Sequence, residues 1–466
     1  AREAISVNRA KAVRVLVMNP KTGEILAMCS KPDFDLNDPP RHDVDTLNEL
    51  LRNRVITDAY EPGSTFKILT TSAALDAGVA GVNDGFFCSG SVVVDGGRIR
   101  CWDSGHGAQN LAQGLQNSCN PVFVELALRL GIERFYHYME AFGLGMVTGV
   151  DIPGEGTGIL IDKSRVKRVD IARIGFGQSV AVTPLQLLTA ACAAVNGGNL
   201  MKPYVVKEIR DADGNVIERG RPTVIGRAIS EKTSSTMRRL LELVVEKGGG
   251  RNARINGYRI GGKTGTAQVY VDGVVSRDTH IGSFLGFAPA DDPQVAVIVI
   301  VDEAGKRPDF GAVTSAPFAR EILQKTLAYL GYAPATEEKN VEPATVPDVT
   351  GMTRAEAIKA LKNANLDAVV SGETGEVVEQ MPAPGAHMAP KSLVMLYLRD
   401  AQDDAYEVSV PDVTGLNILE ASRLLTAYGL SMKAEGSGVA VSQNPAPGEN
   451  VVPTTVIRVK FQKPGG

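Results

Sequence analysis

Ser64 and Lys67 stand three residues apart in Glu61-Pro-Gly-Ser-Thr-Phe-Lys67, ahead of an apolar stretch that Gly78 closes. A helix starting at Ser64 places both side chains on one face, one turn apart. Taken alone, the pair reads as an N-cap serine and a solvated surface lysine. A capping box, however, asks for Glu or Gln at the third position, and a cation there sits against the positive end of the helix dipole. Nucleophile activation would justify it. Burial and the helix N-terminus both lower a lysine pKa, and the neutral amine can take the Ser64 proton.

Two more short motifs carry reactive side chains. Ser118-Cys119-Asn120 precedes Pro121, which is ordinary helix-start grammar with Asn120 as the cap. The same residues also supply a hydroxyl that relays protons and an amide that orients a substrate. Gly261-Gly-Lys-Thr-Gly-Thr-Ala267 runs into the strand-like Gln268-Val-Tyr-Val271. It is not a phosphate-binding Walker loop, because the leading glycine spacing is missing and a strand follows instead of a helix. Lys263, Thr264 and Thr266 offer a cation and hydroxyls suited to a carboxylate, and Gly265 lets a ligand approach the backbone. An extended peptide can add to such a strand, with the Thr266 N–H turned toward an oxyanion.

The elements that must position these residues follow from patterning. Val13–Asn19 and Glu24–Cys29 flank the turn Pro20-Lys-Thr-Gly23 as a hairpin, and Ile260–Val271, Gly282–Ala288 and Gln294–Val301 read as three further strands. A helix follows over Ala316–Leu330, and helical patterns over Thr65–Ala77, Pro121–Leu130 and Pro184–Val195 fill the middle. Strands at both ends with helices between predict an α+β domain whose termini meet in one mixed or antiparallel sheet. Beyond it the chain repeats itself. Val346-Pro-Asp-Val-Thr-Gly351 recurs as Val410-Pro-Asp-Val-Thr-Gly415, and Gln380-Met-Pro-Ala-Pro-Gly385 as Gln443-Asn-Pro-Ala-Pro-Gly448. Each copy reads as one helix (Arg354–Asn365, Ile418–Tyr428) against a small sheet with strands at Leu393–Leu398 and Val456–Phe461. The expected domains are 1–333, a linker 334–345, a repeat 346–399, a linker 400–409 and a repeat 410–463.

Composition narrows the function. The 466 residues are 44% hydrophobic and 22% charged, with a net charge of −4 and no basic stripe for a phosphate backbone, so nucleic acid is excluded as a partner. The longest apolar run, Val295–Val301, is far short of the roughly 18 residues a membrane helix needs. Neither the five cysteines nor the five histidines show zinc-type spacing, so no metal or other cofactor is expected.

S-x-x-K, S-x-N and K-T-G in this order resemble the signature of penicillin-binding proteins and serine β-lactamases. Together with Gly175-Phe-Gly-Gln178 and Val182-Thr-Pro-Leu-Gln186, they look like a class B penicillin-binding protein of the sporulation and division type; the repeats resemble PASTA domains. The resemblance implies a peptidoglycan D,D-transpeptidase in which Ser64 is acylated, Lys67 is its base, and Ser118 and Asn120 form the second motif. Lys263, Thr264, Gly265 and Thr266 would then hold the carboxylate of a D-Ala-D-Ala stem peptide, with the Ser64 and Thr266 N–H groups as oxyanion hole. β-Lactams would stall the first acylation. The implied setting is extracytoplasmic and membrane-anchored, beside a glycosyltransferase or division-type membrane partner. Only 63 residues precede Ser64, so the anchor and pedestal usual in class B members are expected to lie outside this chain. A non-catalytic β-lactam or muropeptide sensor is the alternative from another class; a β-lactamase shares the acylation step but would need a water-activating base that the sequence does not display.

Cys119 lies between the second-motif residues. A Cys101–Cys119 disulfide would make acylation redox-sensitive, whereas reduced, buried thiols would not. A hairpin turning at Asp95-Gly-Gly97 sets Cys101 opposite Gly90–Val92, out of register with Cys88. His106 reads as a loop residue and Asp151-Ile-Pro-Gly-Glu155 as a turn.

Overall fold

The computed structural model describes residues 1–271, 274–305, 309–334, 344–371, 375–382, 384–388, 390–398, 408–427, 430–451 and 455–462. It forms two compact units. One holds residues 1–346 with 362–367 and 385–394, the other 347–361, 368–384 and 395–466. Most of both expected linkers lies outside the described residues.

The first unit is built on a five-stranded antiparallel sheet in the order Gly261–Val271, Val274–Ala288, Val295–Ala304, Ala10–Met18, Ile25–Lys31. Val13 pairs with Val301 and Met18 with Ala296, so the two ends of the unit meet at its centre as expected. An antiparallel strand with one wet face alternates apolar and polar residues. The run Val295-Ala-Val-Ile-Val-Ile-Val301 does not alternate, because both faces are covered. Val295, Val297, Val299 and Val301 enter one core with Ala316, Ala319, Leu323 and Leu327 of the helix Ala316–Tyr329. Ala296, Ile298 and Ile300 enter the other with the fully buried helix Pro184–Val195. Burying each such side chain contributes about 1.5–3 kcal/mol. Ile298→Ala is accordingly expected to lower unfolding free energy by about 2–5 kcal/mol, read from the urea midpoint.

The helix Lys67–Asp76 packs against Asn120–Ala141, Glu231–Lys247 and Pro184–Val195. Eight of its ten residues are buried, Lys67 among them. The segment between the helices Lys67–Asp76 and Asn120–Ala141 contains the hairpin expected at Asp95-Gly-Gly97 and a further strand pair around it. The hairpin pairs Ser91–Val94 with Gly97–Arg100, and the further pair is Gly85–Cys88 with Gly107–Asn110.

Each repeat folds as one helix beside a three-stranded sheet. The two recurring motifs meet through a glutamine. Gln380 accepts from the Val349 N–H at 2.7 Å and donates to the Pro347 carbonyl at 2.9 Å. Gln443 does the same to Val413 at 2.8 Å and Pro411 at 2.9 Å. These buried backbone groups would otherwise lack partners, which accounts for the shared V-P-D-V and Q-x-P-A-P-G wording.

Candidate active site

The chain does not enter the Lys67 helix as an α-helix. Gly63–Phe66 is a tight 3-10 turn, closed by the Lys67 N–H donating to the Ser64 carbonyl. In that geometry side chains at i and i+3 eclipse, so Ser64 and Lys67 share a face more closely than α-helical spacing predicts. Gly63 makes the turn possible: its φ is 54°, and a Cβ there would lie 2.6 Å from the Thr266 carbonyl oxygen. Across the same contact, a Cβ on Gly265 would lie 2.4 Å from Ser283 Oγ and 3.0 Å from Thr65 Cγ2. Two glycines thus let the edge strand Gly261–Val271 lie directly against the Ser64 turn. The Gly175–Gln178 segment braces the turn from behind. The Gly63 N–H donates to Gly177 O at 3.0 Å, and Thr70 Oγ1 to Gly175 O at 2.8 Å.

Ser64 is partly exposed between buried neighbours, while Lys67 is wholly buried. Lys67 Nζ donates to the Ser118 carbonyl and to Asn120 Oδ1, each at 2.7 Å, and lies 3.2 Å from Ser118 Oγ. Lys263, 1% exposed, reaches the same Ser118 Oγ at 2.9 Å and the Thr264 carbonyl at 3.0 Å. All three sequence motifs therefore converge on one hydroxyl. Burial drives the Lys67 pKa well below the usual lysine value, and repulsion from Lys263 lowers it further. Burial alone brings Lys263 down to about 7. A neutral amine has two N–H donors, which would match the two 2.7 Å acceptors at Lys67 and turn its lone pair toward a hydroxyl proton such as that of Ser118, 3.2 Å away.

Local conformation aims the second motif. Ser118 ends the helix Leu111–Gln116 in the left-handed region, with φ 51°, a costly state for a residue other than glycine. The expected cap shifts by one position: Cys119 is the N-cap and Asn120 the first residue of the helix Asn120–Ala141. Its amide is therefore not spent on capping. It accepts from Lys67 and donates to the Arg100 carbonyl at 3.1 Å.

Of the two cysteine readings left open by the sequence, the structure has the reduced one. The Cys101–Cys119 disulfide is not formed; all five cysteines are free. Hydrogen bonding from the Cys119 thiol instead holds Cys101 below the ordinary thiol range and pushes Cys119 above it. The hairpin register is as expected, with the Cys101 N–H donating to Gly90 O at 2.8 Å. Cys88 is nevertheless close, because a second strand pair sets it opposite Gly107. His106, read as a loop residue, places Nδ1 3.6 Å from Cys101 Sγ. Although the sequence shows no metal-type spacing, Cys88, Cys101, His106 and Cys119 present four ligand atoms within 4.8 Å of one another. Asp151 and Glu155 are structural, their carboxylates accepting from the Val205 and Val206 and from the Thr148 and Gly149 N–H groups.

Comparison with known proteins agrees with this geometry. The sequence model of the penicillin binding protein transpeptidase domain matches residues 13–324, and that of the PASTA domain matches 344–400 and 408–463. The chain belongs to the penicillin-binding protein transpeptidase family and carries two PASTA repeats. It is 44% identical over 398 residues to stage V sporulation protein D of Bacillus subtilis, covering 83% of this chain and 61% of that protein. It is 32% identical over 337 residues to the probable peptidoglycan D,D-transpeptidase PenA of Neisseria gonorrhoeae, covering 71% of this chain and 54% of that protein. The chain thus spans somewhat over half the length of these relatives. Among solved structures, penicillin binding protein 3 from Mycobacterium tuberculosis complexed with aztreonam superposes with a TM-score of 0.66 at 29% identity, over 72% of this chain and 76% of that one. The transpeptidase domain of Burkholderia pseudomallei penicillin-binding protein 3 gives 0.61 at 30% identity, over 72% and 92%.

Proposed function

We propose that the chain is the catalytic part of a serine D,D-transpeptidase that cross-links peptidoglycan stem peptides. The observation that carries this reading is the meeting of Lys67 and Lys263 at Ser118 Oγ beside the Ser64 turn. Ser64 Oγ attacks the carbonyl of the penultimate D-Ala, and the neutral Lys67 amine takes its proton. The Ser64 and Thr266 N–H groups hold the oxyanion. Ser118 returns the proton to the departing D-Ala amine, and Asn120 orients both Lys67 and the bound peptide. The stem peptide adds to the edge strand, with its terminal carboxylate on Lys263, Thr264 and Thr266 and its backbone close against Gly265. That carboxylate favours the Lys263 ammonium, so the buried lysine pair keeps its neutral member at Lys67. In the second step an amine from a neighbouring stem attacks the Ser64 ester, its proton passing by way of Ser118 and Lys67 to the departing Ser64 Oγ, which forms the cross-link and frees the serine.

The names of the relatives and the β-lactam complex of a structural neighbour support the same reading, in which β-lactams would acylate Ser64 as mimics of the first step. The family matches also support the domain limits proposed from sequence, 1–333, 346–399 and 410–463. We place the enzyme outside the cytoplasm, anchored beside a glycosyltransferase partner in its longer form; among the described residues no helix is long and apolar enough to cross a membrane. Strands of peptidoglycan with pentapeptide stems test the activity. D-Ala release together with dimeric muropeptides is expected. Penicillin labelling without either product would favour the sensor reading, and steady penicillin hydrolysis the β-lactamase one.

The acylation rate should fall with acid. Protonating Lys67 removes the base, and its folded pKa is depressed, so the rate is expected to rise through a pH range well below that of an ordinary lysine and to plateau above it. Stopped-flow acylation by a chromogenic β-lactam reads this; a rate that climbs only near ordinary lysine pKa values would contradict it.

A further inference from the structure

We infer that Cys88, Cys101, His106 and Cys119 form a structural zinc site that ties the strand-pair segment to the second catalytic motif. The inference stands on geometry and does not depend on the transpeptidase reading. The four ligands come from separate places: the end of Gly85–Cys88, the residue after Gly97–Arg100, the residue before Gly107–Asn110, and the N-cap of Asn120–Ala141. Cys88 and Cys119 are buried and the other two half-buried. Their ligand atoms lie within 4.8 Å of one another, with Cys101 Sγ and His106 Nδ1 3.6 Å apart. Tetrahedral zinc with sulfur at about 2.3 Å implies sulfur separations of about 3.8 Å, so at most about 1 Å of contraction closes the site.

The chemistry selects the ion. Three thiolates and one imidazole are a closed Cys3His set that suits tetrahedral zinc, with no open position for a water. Binding converts three thiols to thiolates and releases three protons, leaving a centre of net charge −1 with neutral His106 coordinating through Nδ1. The fold also has a use for it. An isolated two-stranded ribbon is marginal in water, and two such ribbons of four-residue strands make up this segment. A metal joining both to a core helix would fix them at low cost in sequence. The consequence reaches the active site because Cys119 is flanked by Ser118 and Asn120, both bonded to Lys67. The zinc would therefore position the second motif without touching substrate.

The test uses the full chain, purified with reductant and zinc and then dialysed. One zinc per chain is expected by elemental analysis, retained in Cys192→Ser and lost in Cys88→Ser and His106→Ala. Each ligand variant should weaken binding by more than the about 10–100-fold that losing an outer-shell partner costs. Cobalt titrated into metal-free wild-type protein should give thiolate charge-transfer bands and the strong visible absorption of a tetrahedral site, which needs no variant to fold. Removing the metal should lower the melting temperature and slow acylation, with both restored by zinc. A wild-type chain that holds no more zinc than Cys88→Ser, a cobalt complex without thiolate bands, or a Cys101–Cys119 disulfide in the reduced preparation would overturn the inference.

Discussion

Ser64→Ala is expected to abolish D-Ala release and the covalent β-lactam adduct while leaving the fold intact. Ser64 is partly exposed, and the Lys67 N–H bonds to its backbone carbonyl, so removing one side-chain oxygen leaves the 3-10 turn in place. Loss of a serine nucleophile that acts as a unit with its base costs on the order of 10⁶-fold in turnover. The melting temperature should move little, because surface-type substitutions fall within about 0.5 kcal/mol. A Ser64→Ala variant that still released D-Ala at a tenth of the wild-type rate would remove the serine from the mechanism.

Lys67→Met is expected to lower acylation by about 10²–10⁴-fold, the contribution of a positioned general base. Unlike the serine change, it should also cost stability. The Ser118 carbonyl and Asn120 Oδ1 each lose a 2.7 Å donor, and an unsatisfied buried acceptor costs about 1–3 kcal/mol. Against this, the variant no longer buries an amine that folding strips of its proton, so the net loss should be smallest at low pH, where the native lysine carries its charge at greatest cost. Acylation kinetics and urea midpoints on the same preparation separate the two effects. A variant that lost stability but acylated normally would reduce Lys67 to a structural role.

Much of this site was legible before any coordinates, for reasons that particular residues make plain. The helix Pro184–Val195 was legible from its apolar pattern, and in the structure Thr183 and Gln186 close a capping box ahead of it. The edge strand was legible from Gly261-Gly-Lys-Thr-Gly, because a close backbone approach calls for glycines, and a Cβ on Gly265 would meet Thr65 Cγ2 and the Pro62 carbonyl of the Ser64 turn. Less was legible where contacts are nonlocal. Lys67 looked like a misplaced helix cation; the reason for it is 51 residues away at Ser118. The helix Glu231–Lys247 went unassigned although Ser230 caps it and Met237, Leu240, Leu241 and Val244 follow helical spacing, a signal that was present and outweighed by the surrounding polar residues. The Cys88, Cys101, His106 and Cys119 cluster escaped because register reasoning treated one hairpin at a time. Two strand pairs sharing a short loop bring together residues that neither pair alone would join.

Peptide mapping of wild-type protein after brief exposure to benzylpenicillin tests the central claim most directly. The account predicts a single penicilloyl group on the tryptic peptide containing Ser64, bound as an ester to that oxygen and slow to hydrolyse. An adduct on any other side chain, or an unmodified Ser64 in protein that has consumed the drug, would contradict it.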